Sequence, residues 1–184
     1  LLNDDEATPT RMIGKKMAPI LEDAGRCLAE SMDIVAYVDG LSGDKILAGP
    51  LNPALAQWNS DVTGPLYSLA LPRWAAADLE EFATPSARAY FTRNKERMIG
   101  SFEGHMAASS DYIASVNRHL LDLEPLIQSS DAVNGALSED DVHLFATLRS
   151  MSIVSGIQYP PAVEAYRQRM AERSGIDLHD SIAT

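Results

Sequence analysis

Beyond residue 53, apolar residues recur every three or four positions, the spacing of helices with one buried face. Asn52-Pro53 and Thr84-Pro85 each place a capping residue before a proline, which is typical of a helix start. We predict one helix from Pro53 to about Trp74, broken or kinked at Gly64-Pro65, and a second from Pro85 past Phe102.

The remaining helices are predicted from their first residues. Ser109 or Ser110 begins one helix, and after a loop over 129–137 the segment 138–141 forms a capping-box-like start, with Asp141 in place of Glu or Gln. The helix that follows has apolar residues around most of its circumference as far as Pro160-Pro161, so we expect it at the centre of a bundle. A last helix covers about 162–173 and ends at Gly175.

The first forty residues have a mixed pattern. Thr8 and Pro9 are predicted to begin a short helix that Gly14 ends. Short apolar runs over 17–22 and 26–28 flank a turn at Asp23-Ala24-Gly25, which indicates a β-hairpin. Pro19 lies in the first run, where a cis bond from Ala18 is one option.

A further helix is predicted over 31–39, after Glu30-Ser31. Its expected buried face consists of Met32, Ile34, Val35 and Val38, and Gly40 stands at the expected end. The stretch 40–53 holds several glycines and prolines, as domain linkers often do.

These patterns divide the chain into an α/β domain over 1–40, a linker over 41–50 and an all-α domain over 51–184. One hairpin with one or two helices is too small to bury a core of its own. Leu1-Leu2-Asn3-Asp4-Asp5 is typical of a strand end entering a turn, so we expect the α/β domain to be incomplete.

Composition and charge exclude several classes of function. Fifteen Lys and Arg against 26 Asp and Glu give a net charge of −11 over 184 residues, which argues against nucleic-acid and anionic membrane partners. A single cysteine excludes an internal disulfide and suits a reducing compartment. The sequence shows no secretory leader pattern and no apolar run of about 18 residues. We therefore expect a cytoplasmic protein, and a monomer.

Few side chains point to catalysis. His105, His119, His143 and His179 lack metal-ligand spacing, so no metal is predicted. Cys27 stands alone on a predicted strand, where a buried and inert thiol is the better interpretation than a nucleophile. Adjacent acidic pairs do not face each other on a helix and are explained as caps or solvated faces.

One group of four residues suggests a ligand site. The main chain of Ala18, before Pro19, can pair with an extended peptide-like ligand. Ser31 lies at a helix N-terminus, which favours a carboxylate, and Glu30 can accept a hydrogen bond from an ammonium group. Glutathione, with an α-amino acid end and a peptide backbone, has this chemistry.

The chain also resembles the glutaredoxin 2 family, the large two-domain glutaredoxins of bacteria, over essentially its whole length. The resemblance rests on ordered strings in both halves, namely Leu1-Leu2-Asn3-Asp4-Asp5, Thr8-Pro9-Thr10-Arg11-Met12, Pro19-Ile20-Leu21, Glu30-Ser31-Met32-Asp33-Ile34-Val35, Leu71-Pro72-Arg73, Glu81-Phe82, Thr84-Pro85, Ala87-Arg88, Tyr90-Phe91, Ala132-Val133-Asn134-Gly135 and Leu137-Ser138-Glu139-Asp140-Asp141.

The resemblance implies a thioredoxin-like N-terminal domain and a glutathione-transferase-like helical C-terminal domain. It implies glutathione-dependent reduction of disulfides and glutathionylated proteins. Ala18 and Pro19 would form the cis-proline loop, and Glu30 and Ser31 would bind the γ-glutamyl end of glutathione.

The sequence departs from the family at the nucleophile. The family's Cys-Pro-x-Cys motif has no match in residues 1–184, and Cys27 falls in the hairpin instead. No catalytic residue is therefore assigned, and we expect the motif in a segment of roughly 30 residues, about one βαβ unit, before Leu1. Two alternatives stay open: a non-catalytic module that binds glutathione or proteins, and a glutathione transferase.

Overall fold

The computed structural model describes residues 1–41 and 43–184, and it divides into two compact units. Unit 1 comprises Leu1–Ile46 and Glu80–Phe91, and unit 2 comprises Leu47–Leu79 and Thr92–Thr184. Within the described residues, no helix combines the length and the apolar character needed to cross a membrane.

Unit 1 has the predicted mixed architecture. Its elements are α1 (Ala7–Ile13), β1 (Ile20–Asp23), β2 (Arg26–Ala29), α2 (Ser31–Gly40), a 3-10 turn at Glu80–Phe82 and the first half of α4 (Pro85–Ile99). The hairpin prediction is confirmed: β1 and β2 pair antiparallel, with Asp23 opposite Arg26. Ala24 and Gly25, between them, both have positive φ, at 47° and 78°, as a tight two-residue hairpin loop requires.

The start of α1 differs from the prediction. The helix begins at Ala7, so Thr8 lies inside it and is not the cap. The Oδ1 atom of Asp5 accepts a hydrogen bond from the Thr8 N–H at 2.9 Å, and this bond holds the pKa of Asp5 below its usual value. Gly14 ends the helix as predicted, with φ of 78°.

The buried face predicted for α2 is wrong. Met32, Ile34 and Val35 are only partly buried, and Val38 is 50% exposed. The buried side chains described in unit 1 are instead Pro9, Phe82, Ala87 and Phe91. The physical reason is the size of the sheet, because two strands and two short helices offer too little surface to enclose an apolar face.

Unit 2 is all helical. It contains α3 (Pro53–Ala76), the second half of α4, α5 (Phe102–Ala107), α6 (Ser109–Leu123), α7 (Glu139–Met151) and α8 (Pro161–Ser174). The helices of unit 2 thus confirm the predicted all-α architecture, and the predicted starts at Pro53, Pro85 and Ser109 are confirmed.

The break predicted at Gly64-Pro65 does not occur, and the predicted end of the helix that starts at Pro85 is wrong. The helix α3 continues through Gly64-Pro65, since burial of Val62, Leu66 and Leu69 stabilises the helix on both sides of the proline. The helix α4 stops at Ile99, because Gly100 has φ of 99° and a new helix starts after it, capped by the Ser101 hydroxyl.

The helix at the centre of the bundle is α3 and not α7. Eleven residues of α3 are buried, and it packs against α5, α6 and α7. The helix α7 ends at Met151 and exposes His143 and Ala146. The helix was expected to include the apolar residues Ile153 and Val154. Both are buried, but they lie in an irregular segment after the helix, so the apolar spacing predicted a helix that is too long.

The capping box at Ser138 and Asp141 is confirmed, and it extends into a buried network. The Asp141 carboxylate accepts hydrogen bonds from the Val133 N–H at 2.7 Å, the Ser138 N–H at 2.9 Å and the Tyr166 hydroxyl at 2.9 Å. Burial, together with the Asp141 charge, raises the pKa of Tyr166, so this hydroxyl stays protonated and donates. One carboxylate thus joins the 129–137 loop, α7 and α8.

The residues that precede α3 are bonded to the same loop. The Gly49 N–H donates to the Leu137 carbonyl at 2.7 Å, and the Asn52 N–H donates to Asp140 Oδ2 at 2.7 Å. Asn134 Nδ2 donates to both the Pro50 carbonyl and Asp140. These bonds hold residues 49–52 in place immediately before α3.

We predict that Asp141→Ala lowers the free energy of unfolding by about 3 kcal/mol or more, because three buried donors lose their acceptor. Urea denaturation followed by circular dichroism measures this change. Glu139→Ala, which removes an exposed carboxylate from the same first turn, is the control and should change stability by no more than about 1 kcal/mol. Equal effects of the two substitutions would contradict the assignment.

We predict that Gly49→Ala is destabilising, because a Cβ atom would lie 2.2 Å from the Ala136 carbonyl oxygen. Gly104→Ala is the matched control: its Cβ would meet nothing closer than 4.0 Å, and alanine should raise helix stability by roughly 0.5–1 kcal/mol. Thermal denaturation should therefore shift in opposite directions for the two variants. A rise in melting temperature for Gly49→Ala would show that the approach is not tight.

Candidate functional site

The hairpin brings the four predicted site residues into two neighbouring segments of unit 1. Ala18-Pro19, joined by a cis peptide bond, lies directly before β1, and Glu30-Ser31 lies directly after β2. Ile20 pairs with Ala29, so both segments leave the sheet at the same end. All four residues are exposed to solvent, as residues that contact a ligand from solution must be.

Glu30 has an unusual main-chain conformation. Its φ of 71° and ψ of 120° place a non-glycine residue in the left-handed region, immediately before α2. Its side chain does not cap the helix. Instead, Glu30 Oε1 lies 3.4 Å from Lys15 Nζ, and more than half of each side chain is exposed. The carboxylate is therefore accessible to a cation from solution.

Ser31 is the first residue of α2, which is ten residues long. The Ile34 N–H donates to the Glu30 carbonyl and closes the first turn. The N–H groups before Ile34 have no acceptor within the helix, and the helix dipole adds partial positive charge at this end. An anionic group beside Ser31 would be stabilised there, next to a carboxylate that favours a cation.

Neighbouring polar side chains are engaged elsewhere. Lys16 Nζ lies 4.1 Å from the centre of the Tyr90 ring and donates to the Asn3 carbonyl. The Tyr90 hydroxyl donates to Glu6. The Tyr37 hydroxyl donates to Asp23, and this bond raises the pKa of Tyr37. These contacts leave Lys15 as the lysine that faces Glu30.

Cys27 lies on β2 opposite Glu22 and is half-buried, so the predicted burial of this thiol is only partial. In the described residues this sheet has two strands, which leave part of Cys27 open to solvent. In the described part of the chain its thiol makes no hydrogen bond. Nothing in this environment activates it as a nucleophile.

The histidines are not gathered into a metal site. Across residues 1–41 and 43–184, no group of three or more His, Cys, Asp or Glu side chains could hold a metal ion. His105 is placed by the Ile99 carbonyl at 2.7 Å and the Tyr112 hydroxyl at 3.2 Å.

Lys15 is the site residue that sequence reasoning missed. The signal was present, since Lys15 stands four positions before Pro19. Its pairing with Glu30 depends on the course of the chain around the hairpin, over a separation of 15 residues. The spacing of residues along the sequence therefore does not predict that Lys15 and Glu30 lie close together.

Comparison with known proteins identifies the chain's relatives. Glutaredoxin 2 of Escherichia coli K12 is 46% identical over 184 residues, which is 100% of this chain and 86% of that protein. Glutaredoxin 2 of E. coli O157:H7 matches equally. The crystal structure of glutaredoxin 2 from Salmonella typhimurium in complex with glutathione has a TM-score of 0.98 at 50% identity, and the match covers 100% of this chain and 85% of that one.

A more distant structure shares the fold alone. Gtt2 from Saccharomyces cerevisiae has a TM-score of 0.51 at 16% identity, over 96% of this chain and 80% of that chain. The helices of unit 2 fit the predicted glutathione-transferase-like helical domain. Residues 54–183 match the family described as glutaredoxin 2, C terminal domain. With this match and 46% identity along its whole length, the chain belongs to the glutaredoxin 2 family.

Proposed function

We propose that this protein is a glutathione-dependent thiol-disulfide oxidoreductase that reduces mixed disulfides between proteins and glutathione. The observation that carries the proposal is the match along the entire chain to a glutaredoxin 2 in complex with glutathione. The site geometry supports it, because a carboxylate and a helix N-terminus stand side by side at one end of the hairpin.

Each predicted site residue has a role in this proposal. The Glu30 carboxylate accepts hydrogen bonds from the α-ammonium group of the γ-glutamyl residue, and the Ser31 N–H and hydroxyl bind its α-carboxylate. The main chain of Ala18, next to Pro19, pairs with the cysteinyl backbone of glutathione as an added strand. No hydrogen bond occupies the Ala18 main chain in the described residues.

The reaction is a pair of thiol-disulfide exchanges. A cysteine thiolate of the enzyme attacks the glutathione sulfur of the mixed disulfide, and the substrate protein leaves as a thiolate. The thiolate of a second glutathione then attacks the enzyme-glutathione disulfide, which releases oxidised glutathione and restores the enzyme thiolate. In this proposal the attacking cysteine belongs to the Cys-Pro-x-Cys motif that the family resemblance implies, which residues 1–184 do not contain. Residues 1–184 supply the glutathione site and the helical domain.

The finer architecture is part of the same proposal. We infer a thioredoxin-like domain that includes residues 1–40, a linker over 41–50 and a helical domain over 51–184. Glutathionylated or disulfide-containing proteins are the inferred partners. A monomer, a cytoplasmic location and the absence of a bound metal remain expectations from the sequence.

A second candidate is a module that binds glutathione or a protein without redox chemistry. The presence of a single cysteine, Cys27, in these 184 residues favours it. Reduction of a glutathionylated peptide, by a protein that carries the Cys-Pro-x-Cys segment before Leu1, distinguishes the two. Glutathione-dependent turnover supports the oxidoreductase. Binding without turnover supports the module, and conjugation of a model electrophile at enzyme-like rates would indicate a transferase.

We predict that Glu30→Gln and Ser31→Ala each weaken glutathione binding by about tenfold, because each removes a hydrogen bond to a charged group of the ligand. Isothermal titration calorimetry measures the dissociation constants. Asp33→Asn, an exposed carboxylate in the first turn of the same helix, is the control and should leave binding within about twofold. Unchanged binding for both site variants would exclude this location.

We predict that Cys27→Ser leaves turnover of the motif-bearing protein unchanged, because the Cys27 thiol is half-buried and has no hydrogen-bond partner among the described residues. Steady-state kinetics with a glutathionylated peptide check this, with serine at the first cysteine of the Cys-Pro-x-Cys motif as the inactive comparison. A large loss of activity in Cys27→Ser would contradict the prediction and would indicate that Cys27, in the hairpin, takes part in the disulfide exchange.

A further inference from the structure

Glu30 is already paired in this structure. Lys15 Nζ lies 3.4 Å from Glu30 Oε1, and it is the cation recorded on this carboxylate within the described residues. The adjacent Lys16 does not substitute for it, since its ammonium group lies over the Tyr90 ring. An internal ammonium group therefore lies beside the carboxylate to which the proposed function assigns the ammonium group of the ligand.

The ion pair between Lys15 and Glu30 is weak enough for a ligand to break. The side chains of Lys15 and Glu30 are 59% and 57% exposed, so water screens their attraction. An exposed ion pair of this kind contributes little, because the ordering of a long lysine side chain offsets most of the Coulomb energy. A ligand ammonium group can thus displace Lys15, although the two like charges repel each other while they share one carboxylate.

We propose that Lys15 is a competing cation that occupies Glu30 in the free protein and weakens binding of ligands with a free α-ammonium group. The inference rests on the proposed function, since it needs glutathione at Glu30. It makes Lys15 a determinant of affinity and of ligand choice. The competition acts on the γ-glutamyl ammonium group and not on the remainder of the ligand.

The test compares two ligands that differ only in that group. Glutathione carries the α-ammonium, and glutaryl-cysteinylglycine lacks it. Isothermal titration of both ligands into the wild-type chain and into Lys15→Gln gives four dissociation constants. Lys15→Gln should tighten glutathione binding by about two- to fivefold and leave glutaryl-cysteinylglycine binding unchanged.

Two further variants separate local competition from overall charge. Lys15→Arg keeps the cation and should retain the wild-type affinity for glutathione. Lys16→Gln removes the same charge one residue away, where the lysine is held by Tyr90, and should also leave the affinity unchanged. Tightening by Lys16→Gln equal to that by Lys15→Gln would overturn the inference in favour of a general effect of charge.

The remaining outcomes are decisive as well. Unchanged or weaker glutathione binding by Lys15→Gln would show that Lys15 does not compete, while binding to the wild-type chain keeps the proposed function intact. Equal changes for both ligands would place the effect away from the ammonium group. Absence of binding of both ligands to every variant would overturn the proposed function, and this inference with it.

Discussion

The buried carboxylate of Asp141 is the interaction on which the helical unit depends. It accepts hydrogen bonds from Val133 in the loop before α7, from Ser138 at the start of α7, and from Tyr166 of α8, which lies 25 residues further along the chain. Burial makes each of these bonds obligatory, since water cannot replace the lost acceptor. The Leu137 carbonyl of the same segment accepts a hydrogen bond from the Gly49 N–H, shortly before the central helix α3. The loop that Asp141 holds therefore also holds the residues that immediately precede α3, through the Leu137 carbonyl and the Asp140 carboxylate.

The α/β unit, in contrast, is not organised around a buried polar group in the residues that the structure describes. Its two strands enclose little apolar surface, and α2 has no fully buried residue among those described. What the hairpin provides is placement: its register brings the Ala18-Pro19 segment beside Glu30 and the first turn of α2. The exposure that makes Glu30 available to a ligand also admits Lys15 as its partner.

Fold and function rest on different observations in this protein. Gtt2 shares the overall fold at 16% identity, and at that distance a fold can host different chemistries. Identity of 46–50% along the entire chain joins it to the glutaredoxin 2 family, one member of which is seen with glutathione. In the proposed function, the site in unit 1 connects these observations, because a carboxylate and a helix N-terminus complement the two charges at one end of glutathione.

The sequence alone determined the elements whose signals are local: the hairpin around Gly25, the helix starts at Asn52-Pro53 and Ser138, and the residues that flank the hairpin. Each depends on a few adjacent residues with strong conformational preferences. Tertiary structure decided the rest. Burial of residues on both sides of Pro65 stabilises α3 as one continuous helix at the centre of the bundle. The two-stranded sheet is too small to cover α2, which stays largely exposed. The pairing of Lys15 with Glu30 also came from the fold, because proximity across a hairpin is a property of three dimensions and not of spacing along the chain.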